Sequence, residues 1–118
     1  MSCIIPALNE QGTIGDVIDV AKRVPSISEV LVVDDGSIDR TREVARKHGA
    51  RVVRHPVNLG KGAALKTGVE KAKNDYLLFV DADLRNIDPE KVQKLIQPLV
   101  DNEADFIILL CLVSLYDS

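Results

Sequence analysis

The chain has 118 residues, 46% of them hydrophobic and 28% charged, with a formal net charge of −3. That length describes one domain, able to bury ~65–70% of its unfolded surface without disulfide or metal staples. The mild acidity argues against a nucleic-acid partner, because no basic stripe is present to neutralise phosphates. The longest apolar run, 106–116, is shorter than the ~17–25 residues of a membrane helix, so no transmembrane segment is expected.

In chain order, β-rich runs fall at 3–5, 29–33, 51–54, 76–80 and 105–109, with helical segments between them. Ile14, Val17, Ile18 and Ala21 recur at helical spacing and predict the first helix. Thr41, Val44, Ala45 and His48 give a second, weaker stripe, closed by Gly49 at a C-cap position. Ala64, Leu65, Gly68, Val69 and Ala72 give a third. Asp88, Pro89 and Glu90 read as N-cap, first-turn proline and first-turn acid of a fourth, with Val92, Leu95, Ile96 and Leu99 as its apolar stripe. Pro98 is expected to end or kink that helix. With 3% aromatic residues and no Trp, the core must be built from Val, Ile, Leu and Ala. Cys3 and Cys111 lie in apolar runs and are expected to be buried free thiols in a reducing compartment. No secretory leader precedes the first apolar run, so a cytoplasmic location is expected.

Strands alternating with helices of this length imply βαβ units and an open, mainly parallel α/β sheet with helices on both faces. The runs 30–33 and 76–80 are continuously apolar, as in strands buried on both sides. In such sheets ligands bind beyond the carboxyl ends of the strands, where the winding direction reverses. Polar clusters sit at those ends: Pro6-Ala7-Leu8-Asn9-Glu10, Asp34-Asp35-Gly36-Ser37-Ile38-Asp39, Asn58-Leu59-Gly60-Lys61-Gly62 and Asp81-Ala82-Asp83.

Asp81 and Asp83, two residues apart at an extended strand end, are expected to share a face. Two close carboxylates repel unless a cation lies beside them, and hard oxygen ligands favour Mg²⁺ or Mn²⁺ completed by substrate phosphates. The bland alternative is a turn in which one Asp caps the next segment. Gly60-Lys61-Gly62 fails as a P-loop, since His55 and Gly62 stand where Gly and Ser or Thr are required. It also fails as a dinucleotide fingerprint, whose third Gly is replaced by Leu65. What remains is a flexible backbone, one ammonium and a helix N-terminus, which suit a diphosphate by charge and dipole, or else a flexible turn with a solvated Lys. At Asp34 and Asp35 a carboxylate facing the crevice can accept hydrogen bonds from a base N–H or from ribose hydroxyls. Ser37 or Asp39 is expected to cap the following helix. His48 and His55 read as structural or surface residues, away from the strand ends.

Together, in this order and spacing, the four clusters resemble the family-2 glycosyltransferases of GT-A fold over roughly residues 3–108. The resemblance implies a nucleoside-diphosphate-sugar donor, UDP- or GDP-linked, and a divalent metal at the Asp-x-Asp motif. Carried over, it puts Pro6, Ala7, Leu8 and Glu10 in the nucleoside pocket and Asp35, with Asp34, on the base. It brings Lys61 to the diphosphate, Asp81 with Ala82 to the ribose side, and Asp83 to the metal. Glucosyl-phosphoglycerate synthases and polyprenyl-phosphate sugar synthases are the relatives it resembles most, implying transfer of a hexose to a phosphorylated acceptor. Family members continue well beyond the Asp-x-Asp motif, and the segment 109–115 lacks the Gly and Arg expected there. The whole chain, 1–118, is therefore expected to be the donor-binding half, with little transferase turnover alone.

Three other readings stand beside this one. A non-catalytic nucleotide-sugar-binding fragment would bind without turnover. A haloacid-dehalogenase-type phosphatase would use Asp81 and Asp83 as nucleophile and acid but wants Thr or Val where Leu84 stands, and a response-regulator receiver needs a Lys after a later strand, which none supplies after Lys94. The apolar tail at 110–116 is expected to pair two copies into a homodimer, or to aggregate, the alternative being a tail folded back over the fourth helix of a monomer.

Overall fold

In the computed structural model, residues 1–101 and 109–111 are described. Strand β1 (Ser2–Ala7) leads into helix α1 (Ile14–Lys22), then β2 (Glu29–Asp34), α2 (Thr41–Lys47) and β3 (Arg51–Arg54). Helix α3 (Lys61–Lys71), β4 (Leu77–Phe79), α4 (Pro89–Asp101) and β5 (Leu109–Cys111) follow. The strands form one sheet in the order β3-β2-β1-β4-β5, and every pairing is parallel. The chain winds outward from β1 to β3, then crosses back through α3 to β4 on the far side of β1. The winding therefore reverses between β1 and β4.

Alternate strand residues face opposite layers, as the pleat requires. Cys3, Ile5, Val30, Val32, Leu78 and Val80 pack with Ile14, Val17, Ile18 and Ala21 of α1, Ala45 of α2, and Val92 and Ile96 of α4. Ile4, Leu31, Val33, Leu77 and Phe79 pack on the opposite face, against Ala64 of α3. Both faces are covered, so β1, β2 and β4 are apolar without alternation. Cys3 is a buried free thiol, and burial pushes its pKa up to about 12.

Several helix expectations needed adjustment. The predicted α4 stripe included Leu95, yet Leu95 is 38% exposed, and the buried line is Val92 and Ile96, with Val100 packed against it. Pro98 does not end α4, which runs on to Asp101. Pro98 is exposed, so the carbonyl it leaves without a helical partner lies on the solvent side. Packing of the half-buried Val100 and side-chain bonds from Gln93 to Gln97 (2.7 Å) and Gln97 to Asp101 (2.8 Å) carry the helix past it. In α3, Val69 is likewise 38% exposed, and the contact line is Ala64 and Gly68.

Gly68 lets α3 lie close on the sheet. A Cβ there would stand 2.5 Å from Cγ2 of Ile4, which is fully buried and cannot withdraw. Alanine gains up to ~1 kcal/mol in helix propensity, but overpacking costs ~1–3 kcal/mol. Gly68→Ala is therefore expected to lower the urea midpoint of unfolding. A midpoint at or above wild type would show that α3 can shift without cost.

The predicted last strand, 105–109, is observed as β5 at Leu109–Cys111, and 105–108 lie outside the described residues. The expected dimer surface at 110–116 also lies outside them, apart from the backbone pairing of 110 and 111 with β4.

Candidate active site

The carboxyl ends of β1 and β2 are joined by a zipper of loop hydrogen bonds. Asn9 N donates to Ser37 Oγ, and Ile38 N donates to Asn9 Oδ1, both at 2.9 Å. Glu10 N donates to Thr41 Oγ1 at 2.9 Å, and the Thr41 hydroxyl donates to Asp39 Oδ1. Gln11 N reaches Asp39 Oδ2 at 3.2 Å, and Arg40 N reaches Gln11 Oε1 at 3.1 Å. Asp39 thus caps the start of α2, where Thr41 N also donates to it, while holding the β1 loop. Burial works against its charge, but these hydrogen bonds keep its pKa below the usual carboxylate value. Much of the polar character after β1 and β2 is thus spent on joining two loops.

A cleft of about 490 Å³ opens beside this zipper, at the reversal between β1 and β4. One wall is Pro6, Ala7, Leu8 and Glu10 after β1, with Asp35 after β2. The other is Asp81, Ala82 and Asp83 after β4, and the floor is Asn58, Gly60, Lys61 and Ala64 at the start of α3. All the predicted site residues except Asp34 line it. Asp34 is fully buried, accepts from Ser37 N at 3.2 Å, and lies 3.3 Å from Arg42 Nε, in ion-pair range but without hydrogen-bond geometry. Its predicted place on the base is corrected: adjacent strand residues face opposite ways, and Asp34 turns toward α2.

Asp35 is 4% exposed and holds the opposite loop. Its Oδ1 accepts from Leu59 N at 2.9 Å and lies 2.8 Å from His55 Nδ1, while Oδ2 accepts from Gly60 N at 2.9 Å. Burial raises its pKa, but the bonds from His55, Leu59 and Gly60 outweigh it and leave the carboxyl below its usual value. Gly36 makes this approach possible: at φ +81 it lies where a Cβ would stand 2.6 Å from the backbone of Val57 and Asn58. His55, read from the sequence as structural or surface, is buried and structural, but the ground for that reading does not hold. It directly follows β3, so it does lie at a strand end, and it touches a cleft-wall carboxylate. The signal was its place, matching that of the other clusters.

Asp81 and Asp83 are not at an extended strand end, since β4 stops at Phe79 and a turn follows, with Leu84 N donating to Asp81 O at 3.4 Å. The hydroxyl of Thr13 lies 2.9 Å from Ala82 O and anchors this turn to the start of α1. Lys61 Nζ is 3.0 Å from Asp81 Oδ1, and Asp83 is exposed at the rim. Among the described residues no three His, Cys, Asp or Glu side chains converge as a complete metal cage. Two rim carboxylates suit instead a hard cation that keeps waters and takes the rest of its shell from substrate phosphates. The cleft's acids, Glu10, Asp35, Asp81 and Asp83, outnumber its one Lys, so a phosphate ligand needs added positive charge there.

A parallel sheet covered on both faces, with a polar cleft at the reversal of its winding, defines an open, doubly wound α/β domain with its ligand crevice at the switch point. The chain belongs to the glycosyl transferase family 2, whose model matches residues 2–117, and its architecture is the GT-A, Rossmann-like one. It is 38% identical over 112 residues to the glucosyl-3-phosphoglycerate synthase of Mycolicibacterium paratuberculosis, covering 87% of this chain and 34% of that one. It is 30% identical over 118 residues to the dodecaprenyl-phosphate galacturonate synthase of Rhizobium johnstonii, covering 92% of this chain and 35% of the relative. The crystal structure of Mycobacterium tuberculosis glucosyl-3-phosphoglycerate synthase with Mn²⁺ and UDP-glucose is similar at a TM-score of 0.76 and 39% identity, over 86% of this chain and 39% of that one. The chain thus spans about a third of the length of these relatives. Family membership removes the phosphatase and receiver alternatives. Among the described residues no helix is long and apolar enough to cross a membrane.

Proposed function

We propose that this chain binds a nucleoside-diphosphate sugar together with a divalent cation, as the donor-binding part of a glycosyltransferase. One observation carries the reading: carboxylates after β4, a lysine at the start of α3 and an apolar wall after β1 meet in a single cleft. Pro6, Ala7 and Leu8 offer the flat apolar wall that a nucleoside needs, with Glu10 and Asp35 as acceptors beside it. Lys61 and the N-terminus of α3 take the diphosphate. Asp81 and Ala82 flank the ribose side, and Asp83 holds Mg²⁺ or Mn²⁺, which supplies positive charge for the diphosphate leaving group.

UDP is favoured over GDP because the similar enzyme has been crystallised with UDP-glucose and Mn²⁺. The relatives differ in acceptor, phosphoglycerate in one and a dodecaprenyl phosphate in the other, which supports a phosphorylated acceptor as the shared chemistry. Residues 1–118 are read as one donor domain, and the buried free thiol of Cys3 suits a reducing compartment such as the cytoplasm. A non-catalytic form of the same reading would bind donor without transferring sugar.

Calorimetry with UDP, GDP and UDP-glucose, each with Mn²⁺, Mg²⁺ or chelator, tests the reading. Metal-dependent binding of UDP and UDP-glucose is expected, and a chain that binds none of the three overturns the reading. Lys61→Ala is expected to weaken UDP binding by about tenfold or more, the loss of one charge-assisted contact. The same change leaves Asp81 without its ammonium partner and adds repulsion. Unchanged affinity in Lys61→Ala removes that residue from the diphosphate site.

A further inference from the structure

Behind Asp35 lies a relay of two more side chains. His55 Nδ1 is 2.8 Å from Asp35 Oδ1, and His55 Nε2 is 2.8 Å from Thr67 Oγ1 on α3. An ionised carboxylate can only accept, so Nδ1 carries the proton at that contact. In the neutral ring Nε2 then accepts from the Thr67 hydroxyl, and one tautomer satisfies both neighbours. His55 is 7% exposed and Asp35 4%, so water does not compete for these contacts. A carboxylate offers about four acceptor positions. His55 Nδ1, Leu59 N and Gly60 N occupy three of those of Asp35, which leaves one, on Oδ2, for the cleft.

We infer that His55 is a positioning residue for nucleobase selection. Kept in the Nδ1–H tautomer by the carboxylate and held in orientation by Thr67, it fixes Asp35 so that the remaining lone pair of Oδ2 meets a base carrying a ring N–H. The inference deepens the donor-binding reading and rests on it. Uracil presents such an N–H. Cytosine presents an unprotonated ring nitrogen at the same place, and its lone pair faces that of the carboxylate. Discrimination thus comes from repulsion of the wrong base as well as attraction of the right one.

Calorimetry on the full chain with UDP and with CDP, each with Mn²⁺, reads the ratio of the two dissociation constants. Wild type is expected to favour UDP by about tenfold or more, as for one charge-assisted hydrogen bond gained or lost. His55→Leu removes the Nδ1 donor and is expected to bring the ratio toward unity. His55→Asn places an amide donor close to the position of Nδ1 and is expected to restore most of the preference. Thr67→Val removes only the partner of Nε2 and is expected to lose part of it, which keeps the test available if His55→Leu does not fold. An unchanged ratio in folded His55→Leu or in Thr67→Val overturns the inference. So does a loss in His55→Leu that His55→Asn fails to restore, because generic packing would then be the cause. A wild-type chain that binds UDP and CDP alike overturns the inference and leaves the donor-site reading standing, whereas one that binds neither fails that reading and takes the inference with it.

Discussion

Replacing Asp83 by Ala is expected to weaken Mn²⁺-dependent UDP binding by more than the ~10–100-fold that loss of an outer-shell partner costs a metal site. Binding in chelator, already weak, is expected to stay as it is. The reason is charge: Glu10, Asp35, Asp81 and Asp83 line the cleft against Lys61, so a diphosphate entering without a cation meets like charge. Asp81 already has an ammonium 3.0 Å away, whereas Asp83 stands exposed at the rim. Asp81→Ala removes a carboxylate whose charge Lys61 already offsets, so its effect is expected to be the smaller of the two. Equal UDP affinity for wild type and Asp83→Ala in Mn²⁺ would sink the metal assignment of that residue.

Asp35→Ala is expected to give the largest loss of stability among the cleft residues, about 2–4 kcal/mol, as two donors lose their acceptor together. It removes the acceptor of His55 Nδ1 and Leu59 N, and leaves Gly60 N only its bond to Asn58 Oδ1 at 3.0 Å. An unsatisfied buried donor costs ~1–3 kcal/mol, and the loop carrying Lys61 loses its anchor as well. Unfolding by urea at neutral pH measures this directly, and a loss under ~1 kcal/mol would mean that the loop refinds its partners in water. The same carboxylate sets a pH dependence. Its folded pKa lies below the ordinary value of 3.8 that it regains on unfolding. The unfolded chain therefore takes up the proton first, and the stabilisation, complete above the ordinary carboxylate range, is lost as the pH falls through it toward the folded pKa. Wild type is expected to lose stability through that window more steeply than Asp35→Ala, and parallel curves would count against the assignment.

The division between what the residues announced and what only the fold decided follows the range of the interactions. The first helix was legible because Ile14, Val17, Ile18 and Ala21 report their own burial through helical spacing, and all four are buried. β1, β2 and β4 were legible because strands covered on both faces are apolar without a break. Parallel strands separated by helices leave few topologies, and their carboxyl ends fall on one edge, so the cleft's place could be read before its shape. Sequence alone did not decide which of two neighbouring carboxylates faces the cleft. Asp34 and Asp35 differ only in the side of the backbone they leave from, and Arg42 on α2 together with the loop at 59–60 settles it. Nor could it see that His55 closes on Asp35, 20 residues away, or that Val100 draws α4 past Pro98. Local pattern encodes which face of an element is buried. The partner of a buried polar group is chosen by packing between elements far apart in the chain, and no local period records it.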